Sequence, residues 1–203
     1  PFIIKDAIVN NYIKNVTNIN AENLTVNLTK DFVIKAGVLL EYNGEAIDVV
    51  IPDNVVEIDN KAFLSCYQLK NISFPKHLER IGAFAFCFIY DGQGNPPRTP
   101  DRGTFSASVD VLDDYALFDS SFSGIDFSNV SSVGKSAVSG ITAESIEIPE
   151  SLVNIEPGFL IGAHAAKSIT VDENNSVYDS RDNCNAIIET ATNTLIVGCK
   201  DTI

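Results

Sequence analysis

Two consecutive stretches of this chain carry one apolar template, and their spacing limits what the chain can fold into. Val49-Val50-Ile51-Pro52, Val55, Ile58, Ala62-Phe63, Cys66 and Leu69 are followed by Ile72-Ser73-Phe74-Pro75, Leu78, Ile81, Ala85-Phe86 and Cys87. Ile51 to Phe74, Ile58 to Ile81, Ala62 to Ala85 and Phe63 to Phe86 are all 23 residues apart. A unit of roughly 20 to 29 residues cannot bury its apolar side alone and must stack on its neighbours, which predicts a solenoid with one continuous core.

The later units are degenerate but can be phased from the same landmarks. After Phe74 the strand-end position falls at Phe105, Phe127, Ile148 and Val171, at intervals of 31, 22, 21 and 23. The long interval contains the Gly- and Pro-rich run Tyr90 to Gly103, which predicts an exposed insertion over about 90–103. Downstream of it, Leu112 and Tyr115-Ala116-Leu117 stand where Ile58 and Lys61-Ala62-Phe63 stand in the first unit.

Side chains alternate along a strand, so Ile72 and Phe74, or Ile146 and Ile148, face inward while Ser73 or Glu147 faces outward. Parallel stacking turns the outward residues into a column of Val50, Ser73, Thr104, Asp126, Glu147 and Thr170. The strand side of a curved solenoid is the usual concave binding surface, so this column is the candidate partner-binding site. Pro52, Pro75 and Pro149 end their strands because proline cannot donate to a ladder. The limb carrying Ala62-Phe63 and Ala85-Phe86 is expected to form a short helical turn. The fold class is therefore an α/β solenoid of mostly parallel short strands and short helical turns, with β-hairpins added.

One hairpin is expected at residues 32–42, where Phe32-Val33-Ile34 and Val38 to Tyr42 flank a three-residue loop, Lys35-Ala36-Gly37. Residues 1–31 do not follow the repeat. Alternation in Leu24-Thr25-Val26-Asn27-Leu28 suits a half-buried strand, so 1–31 reads as a cap on the first open end, or as the end of a preceding segment. The repeat domain is then 32–203. Pro1 in place of a methionine reads as a trimmed start, and the last residues, Asp201-Thr202-Ile203, fall where another strand would begin. An exposed apolar end of that kind predicts weak end-to-end self-association.

The template Ile-Pro-x-x-Val-x-x-Ile-x-x-x-Ala-Phe-x-x-Cys-x-x-Leu, complete from Ile51 to Leu69 and partial from Phe74 to Cys87, resembles the BspA-type leucine-rich repeat. The 32–42 hairpin is similar to that family's interleaved elements. So is the closing segment Ser168-Ile169-Thr170-Val171-Asp172, Asn175, Tyr178-Asp179-Ser180 and Asn185-Ala186-Ile187-Ile188. The resemblance covers residues 32–203 and implies a right-handed leucine-rich superhelix on an extracellular or cell-surface bacterial protein, with a role in adhesion. Ser128 replaces a strand-ending proline, Phe159-Leu160 replaces Ala-Phe, and no binding residue can be carried over.

The chemistry-bearing residues point away from catalysis. A net charge of −13 lacks the Lys and Arg surplus that nucleic acid or an anionic membrane requires. No apolar run approaches the ~18 residues of a membrane span. His77 and His164 have no nucleophile or carboxylate in a catalytic pattern, and Cys66 and Cys87 read as small buried hydrophobes. Asp110, Asp113-Asp114 and Asp172-Glu173 lack calcium-loop spacing and read as solvated turns, so no metal or cofactor is expected. A second hairpin over about 184–199, turning at Ala191-Thr192, would set Cys184 opposite Cys199 and permit a disulfide. The expectation is a non-catalytic module that binds a protein partner, such as a host extracellular protein. The rival is a structural spacer with no ligand of its own.

Overall fold

The computed structural model describes residues 26–29, 31–87, 104–105, 108–120, 122–162 and 165–203. The readings placed on residues 1–25, on the 90–103 insertion and on His164 lie outside these.

One fully buried column is Ile58, Ile81, Leu112 and Val133, each 0% exposed. These side chains sit on two-residue strands: β5 (Glu57–Ile58), β7 (Arg80–Ile81), β9 (Val111–Leu112) and β11 (Ser132–Val133), continued by β13 (Asn154–Ile155). They pair in parallel and in register, Ile58 with Ile81, Ile81 with Leu112, Leu112 with Val133 and Val133 with Ile155. Each buried aliphatic side chain in such a column contributes about 1.5–3 kcal/mol relative to exposure, and each is covered only because the next coil lies over it.

The ladder begins on antiparallel strands. β1 (Val26–Thr29) pairs with β2 (Phe32–Lys35), β2 with β3 (Val38–Tyr42), and β3 runs parallel to β5, giving an eight-stranded sheet. The β2–β3 loop is two residues, not three: Lys35 pairs with Val38, and Ala36 (φ 50°) and Gly37 (φ 81°) both adopt the left-handed conformation. Two left-handed residues match the twist of the flanking strands better than a longer loop.

The strands read from the sequence are β4 (Asp48–Val50), β6 (Asn71–Ser73), β8 (Thr104–Phe105), β10 (Gly124–Ile125), β12 (Ser145–Ile148) and β14 (Ser168–Val171). Among the described residues they pair two by two, β4 with β6, β8 with β10 and β12 with β14. The expected continuous column is therefore interrupted twice.

The third limb is not helical, which corrects the expected α/β class. Lys61 (φ 63°) and Ser65 (φ 62°) are left-handed, as are Phe84, Tyr115, Asp119 and Ser136 at equivalent places in later coils. Left-handed residues four apart interrupt any run of helical dihedrals. Between them the amides alternate in destination. Ala62, Leu64 and Cys66 donate three residues back, to Asp59, Lys61 and Phe63, whereas Lys61, Phe63 and Ser65 donate across to Ala83, Ala85 and Cys87. Among the described residues the one helical element is a 3-10 turn, Arg181–Asn183.

The array closes on β15 (Tyr178–Asp179), β16 (Ala186–Glu189) and β17 (Thr194–Gly198), a three-stranded antiparallel sheet. The Tyr178 hydroxyl accepts the Ile155 amide at 3.2 Å, so this sheet continues the β13 rung through a side chain. Inside, Tyr42 stacks on Phe63 (5.0 Å between ring centroids) and Phe63 on Phe86 (4.7 Å).

Coils pack closely at Gly82. Asn60 Oδ1 accepts the Ala83 amide at 2.7 Å, and a Cβ on Gly82 would stand 2.7 Å from the Asn60 backbone nitrogen. Gly82→Ala is expected to lower stability by about 1–3 kcal/mol through overpacking, read as a lower midpoint in urea unfolding. An unchanged midpoint would show that this contact does not set the coil spacing.

Candidate functional site

The break between β10 and β12 opens a cleft of about 530 Å³ on the strand face. β10 stops at Ile125 because Asp126 turns its carboxylate back on its own chain. Asp126 Oδ1 accepts the Ser128 amide at 2.9 Å and also the Ser128 hydroxyl, a turn that extended backbone cannot make. The Asp126 amide still donates to Phe105, at 2.9 Å. Across the cleft, β12 and β14 align Glu147 with Thr170 and Ile146 with Ile169. Ile146 and Ile169 are 1% exposed, so alternation turns Glu147 and Thr170 outward.

Asp126, Glu147, Thr170 and Asp172 thus line one opening, and among the described residues no lysine or arginine lines it. Asp172 makes a second carboxylate-capped turn, accepting the Asn174 amide at 2.8 Å. Asn175 holds the wall behind it. Its Nδ2 donates to the carbonyls of Pro149 (2.8 Å) and Leu152 (3.0 Å), and its Oδ1 accepts the amides of Val177 (3.0 Å) and Tyr178 (2.9 Å). Both amide donors and both acceptor positions are engaged, so Asn175 ties two coils at one point. The sequence shows Asn175 only as part of the closing segment and gives it no role.

The remaining column residues lie elsewhere. Val50 is 72% exposed and stands beside Ser73 on the β4–β6 pair. Thr104 pairs with Gly124 rather than standing beside Asp126, because the ladder aligns Phe105 with Ile125 and not with Phe127. Ile125 and Phe127 lie two residues apart on one face, and the Asp126 turn selects the first. The six expected positions therefore divide into Val50 with Ser73, Thr104 beside Gly124, and Asp126, Glu147 and Thr170 around the cleft.

The acidic turns prove to be links between coils. Asp113 and Glu57 both pair with Arg80, Asp114 Oδ1 accepts the Lys135 amide at 2.8 Å, and Asp110 accepts the Ser131 hydroxyl. Among the described residues no group of three His, Cys, Asp or Glu side chains could hold a metal ion. His77 is exposed in the turn after β6. Asp179, gripped by Arg181 and by the Thr190 hydroxyl, is held well below the usual carboxylate range and pins the closing sheet.

The expected disulfide is not formed. All four cysteines are free thiols. Near the turn Ile188 faces Leu195 as anticipated, but an irregularity between Ile187 and Ile188 moves the pairing to Ile187 with Val197 and Ala186 with Gly198. Carried outward, that one-residue shift leaves Cys199 out of step with Cys184. Cys87 is buried as expected, and burial, with the charge of Asp119 nearby, pushes its thiol up to about 11.

Stacked coils joined by two-residue parallel strands around one apolar column define a leucine-rich-repeat solenoid. The chain belongs to the BspA type leucine-rich repeat family, whose repeat matches residues 33–90 and 102–193 in six copies. Among solved structures it is similar to a leucine-rich repeat protein of T. pallidum, at 23% identity and a TM-score of 0.54, covering 76% of this chain and 71% of that one. It is also similar to a leucine-rich cell surface protein of Faecalibacterium prausnitzii, at 16% identity and a TM-score of 0.48, over 85% of this chain and 57% of that one. A leucine-rich repeat protein of Bacteroides ovatus gives 22% identity and a TM-score of 0.49, over 75% of this chain and 40% of that one. The first of these likenesses shows a common fold. No curated protein sequence matches the chain. Among the described residues no helix is long and apolar enough to cross a membrane.

Thiol titration tests the cysteine assignment. The unreduced chain, unfolded in denaturant, is expected to give four reactive thiols, and in the folded protein Cys87 should react last because the thiolate is the nucleophile. A count of two would restore the Cys184–Cys199 bond.

Proposed function

We propose that this repeat module is a non-catalytic recognition domain that binds a protein partner at the strand-face cleft. The observation that carries the reading is the juxtaposition of Asp126, Glu147 and Thr170 on one opening, whose described lining residues include three carboxylates and no lysine or arginine. Such a surface complements a basic patch, and charge complementarity of this kind sets partner choice and association rate. The bonds of Asn175 fix the backbone of the wall at Pro149, two residues after Glu147, before a partner arrives, which limits the ordering cost of binding there. The resemblance to BspA-type repeats supports a setting on the bacterial surface or outside the cell, with adhesion to a host extracellular protein as the role.

Immobilised extracellular proteins provide the test. A basic partner should bind the native chain saturably, and Asp126→Asn with Glu147→Lys, which keeps an Oδ1 acceptor for the Ser128 turn, should weaken binding by roughly tenfold or more. Saturable binding unchanged by the two substitutions would place recognition on another face. Absence of binding across a broad panel would favour the spacer reading.

A further inference from the structure

The third limb holds a second concavity, built by losing side chains rather than by breaking a ladder. Its left-handed positions recur four residues apart, at Tyr115 and Asp119, then Ser136 and Gly140, then Gly158 and Gly162. Along the second of these positions the side chain passes from Asp119 to none at Gly140 and none at Gly162. A Cβ on Gly140 would stand 1.9 Å from Asp119 Oδ1, so the carboxylate lies over bare glycine backbone. The result is a groove of about 530 Å³ with a floor of Gly140 and Gly162 and walls that include Phe118, Ile141 and Ile161. Ile141 is 1% exposed at its base and Ile161 66% exposed at its rim.

Among the described residues, two polar side chains line this groove. The Thr142 hydroxyl donates to the Phe122 carbonyl at 3.3 Å. Asp119 differs: among the described residues no lysine, arginine or histidine pairs with its carboxylate, and no side-chain donor reaches it. Burial raises its pKa above the ordinary value, the mark of a charge lacking compensation. Beside it, Phe118 meets Tyr115 edge-on at 5.6 Å, and Tyr115 stacks on Phe84 at 4.8 Å.

We propose that this groove is a second recognition site, taking an arginine side chain of a protein partner. The aliphatic stem lies along the glycine floor between Ile141 and Ile161, and the guanidinium meets Asp119 beside the Phe118 ring. The walls select this occupant. A small cation would give up its water to aliphatic side chains that offer no replacement ligands, and a purely apolar group would cover the carboxylate and leave it unpaired. Arginine brings an apolar stem, a fork that matches a carboxylate, and a planar cation that packs on aromatic rings, whereas lysine brings only the first of these and a point charge. The site is separate from the strand-face cleft and does not depend on it.

The test is a two-dimensional amide NMR titration of the whole chain with the blocked peptide acetyl-Gly-Arg-Gly-amide, alongside its citrulline counterpart. Saturable shifts are expected at residues 118–119, 140–142 and 161–162, with a dissociation constant of order 1–10 mM for a single side chain. The citrulline peptide should bind at least roughly tenfold more weakly, as should the arginine peptide to Asp119→Asn. Asp119→Asn is isosteric and its own spectrum reports whether it folds; the citrulline comparison stands without it. A control with Asp126→Asn and Glu147→Gln should keep the response. Shifts centred on the strand-face cleft, an equal response to citrulline, or no saturable shift would each overturn the proposal.

Discussion

A chain that turns a corner every few residues must still satisfy every buried amide, and this constraint shapes the molecule. In the third limb it is met by alternation: one amide closes a local turn and the next reaches the neighbouring coil. The alternation requires left-handed residues four apart, and the structure places Lys61, Ser65, Phe84 and Tyr115 there although none is glycine. Each such residue carries a local conformational cost, offset because the cross-coil bonds and the buried Phe63–Phe86 stack exist only in that geometry. Coil spacing then leaves no room for a side chain at Gly82 below Asn60, or at Gly134 below Asp114.

The two strand systems divide the work. The eight-stranded sheet is continuous, pinned across three coils by Arg80 between Glu57 and Asp113, and it fixes the stack. The opposite strands pair two by two, so each interruption releases a stretch of surface from the ladder. The interruption at Asp126 is where a concavity lined by Asp126, Glu147 and Asp172 develops. A regular array would have filled that place with another rung.

The sequence reading captured what recurs as volume. Phe63 and Phe86, or Ile58 and Ile81, repeat at a fixed distance because each must cover its neighbour, and that signal survives degenerate units. Shorter signals were lost. A two-residue strand such as Glu57–Ile58 shows no alternation, so the main sheet was not visible beyond its buried anchors. Nothing in the residue type of Lys61 or Tyr115 announces a left-handed conformation, so a helical turn was the natural expectation. The slip from Phe127 to Ile125 joins two apolar residues on the same face, which period-two reasoning cannot separate; the Asp126 turn decides it. The irregularity beside Ile188 likewise has no signature in the sequence, yet it moves Cys199 out of register with Cys184.

Most parallel rungs of the continuous sheet join residues about one repeat apart, and that regularity has a mechanical meaning. Under tension applied at the two ends, strands of two residues are loaded one rung at a time rather than all together. The stack would then yield coil by coil, each release of 23 residues adding roughly 75–80 Å of extended chain. A solenoid built this way would extend in graded steps. Under such a load the coils still folded would keep their shape, because each contacts only its neighbours.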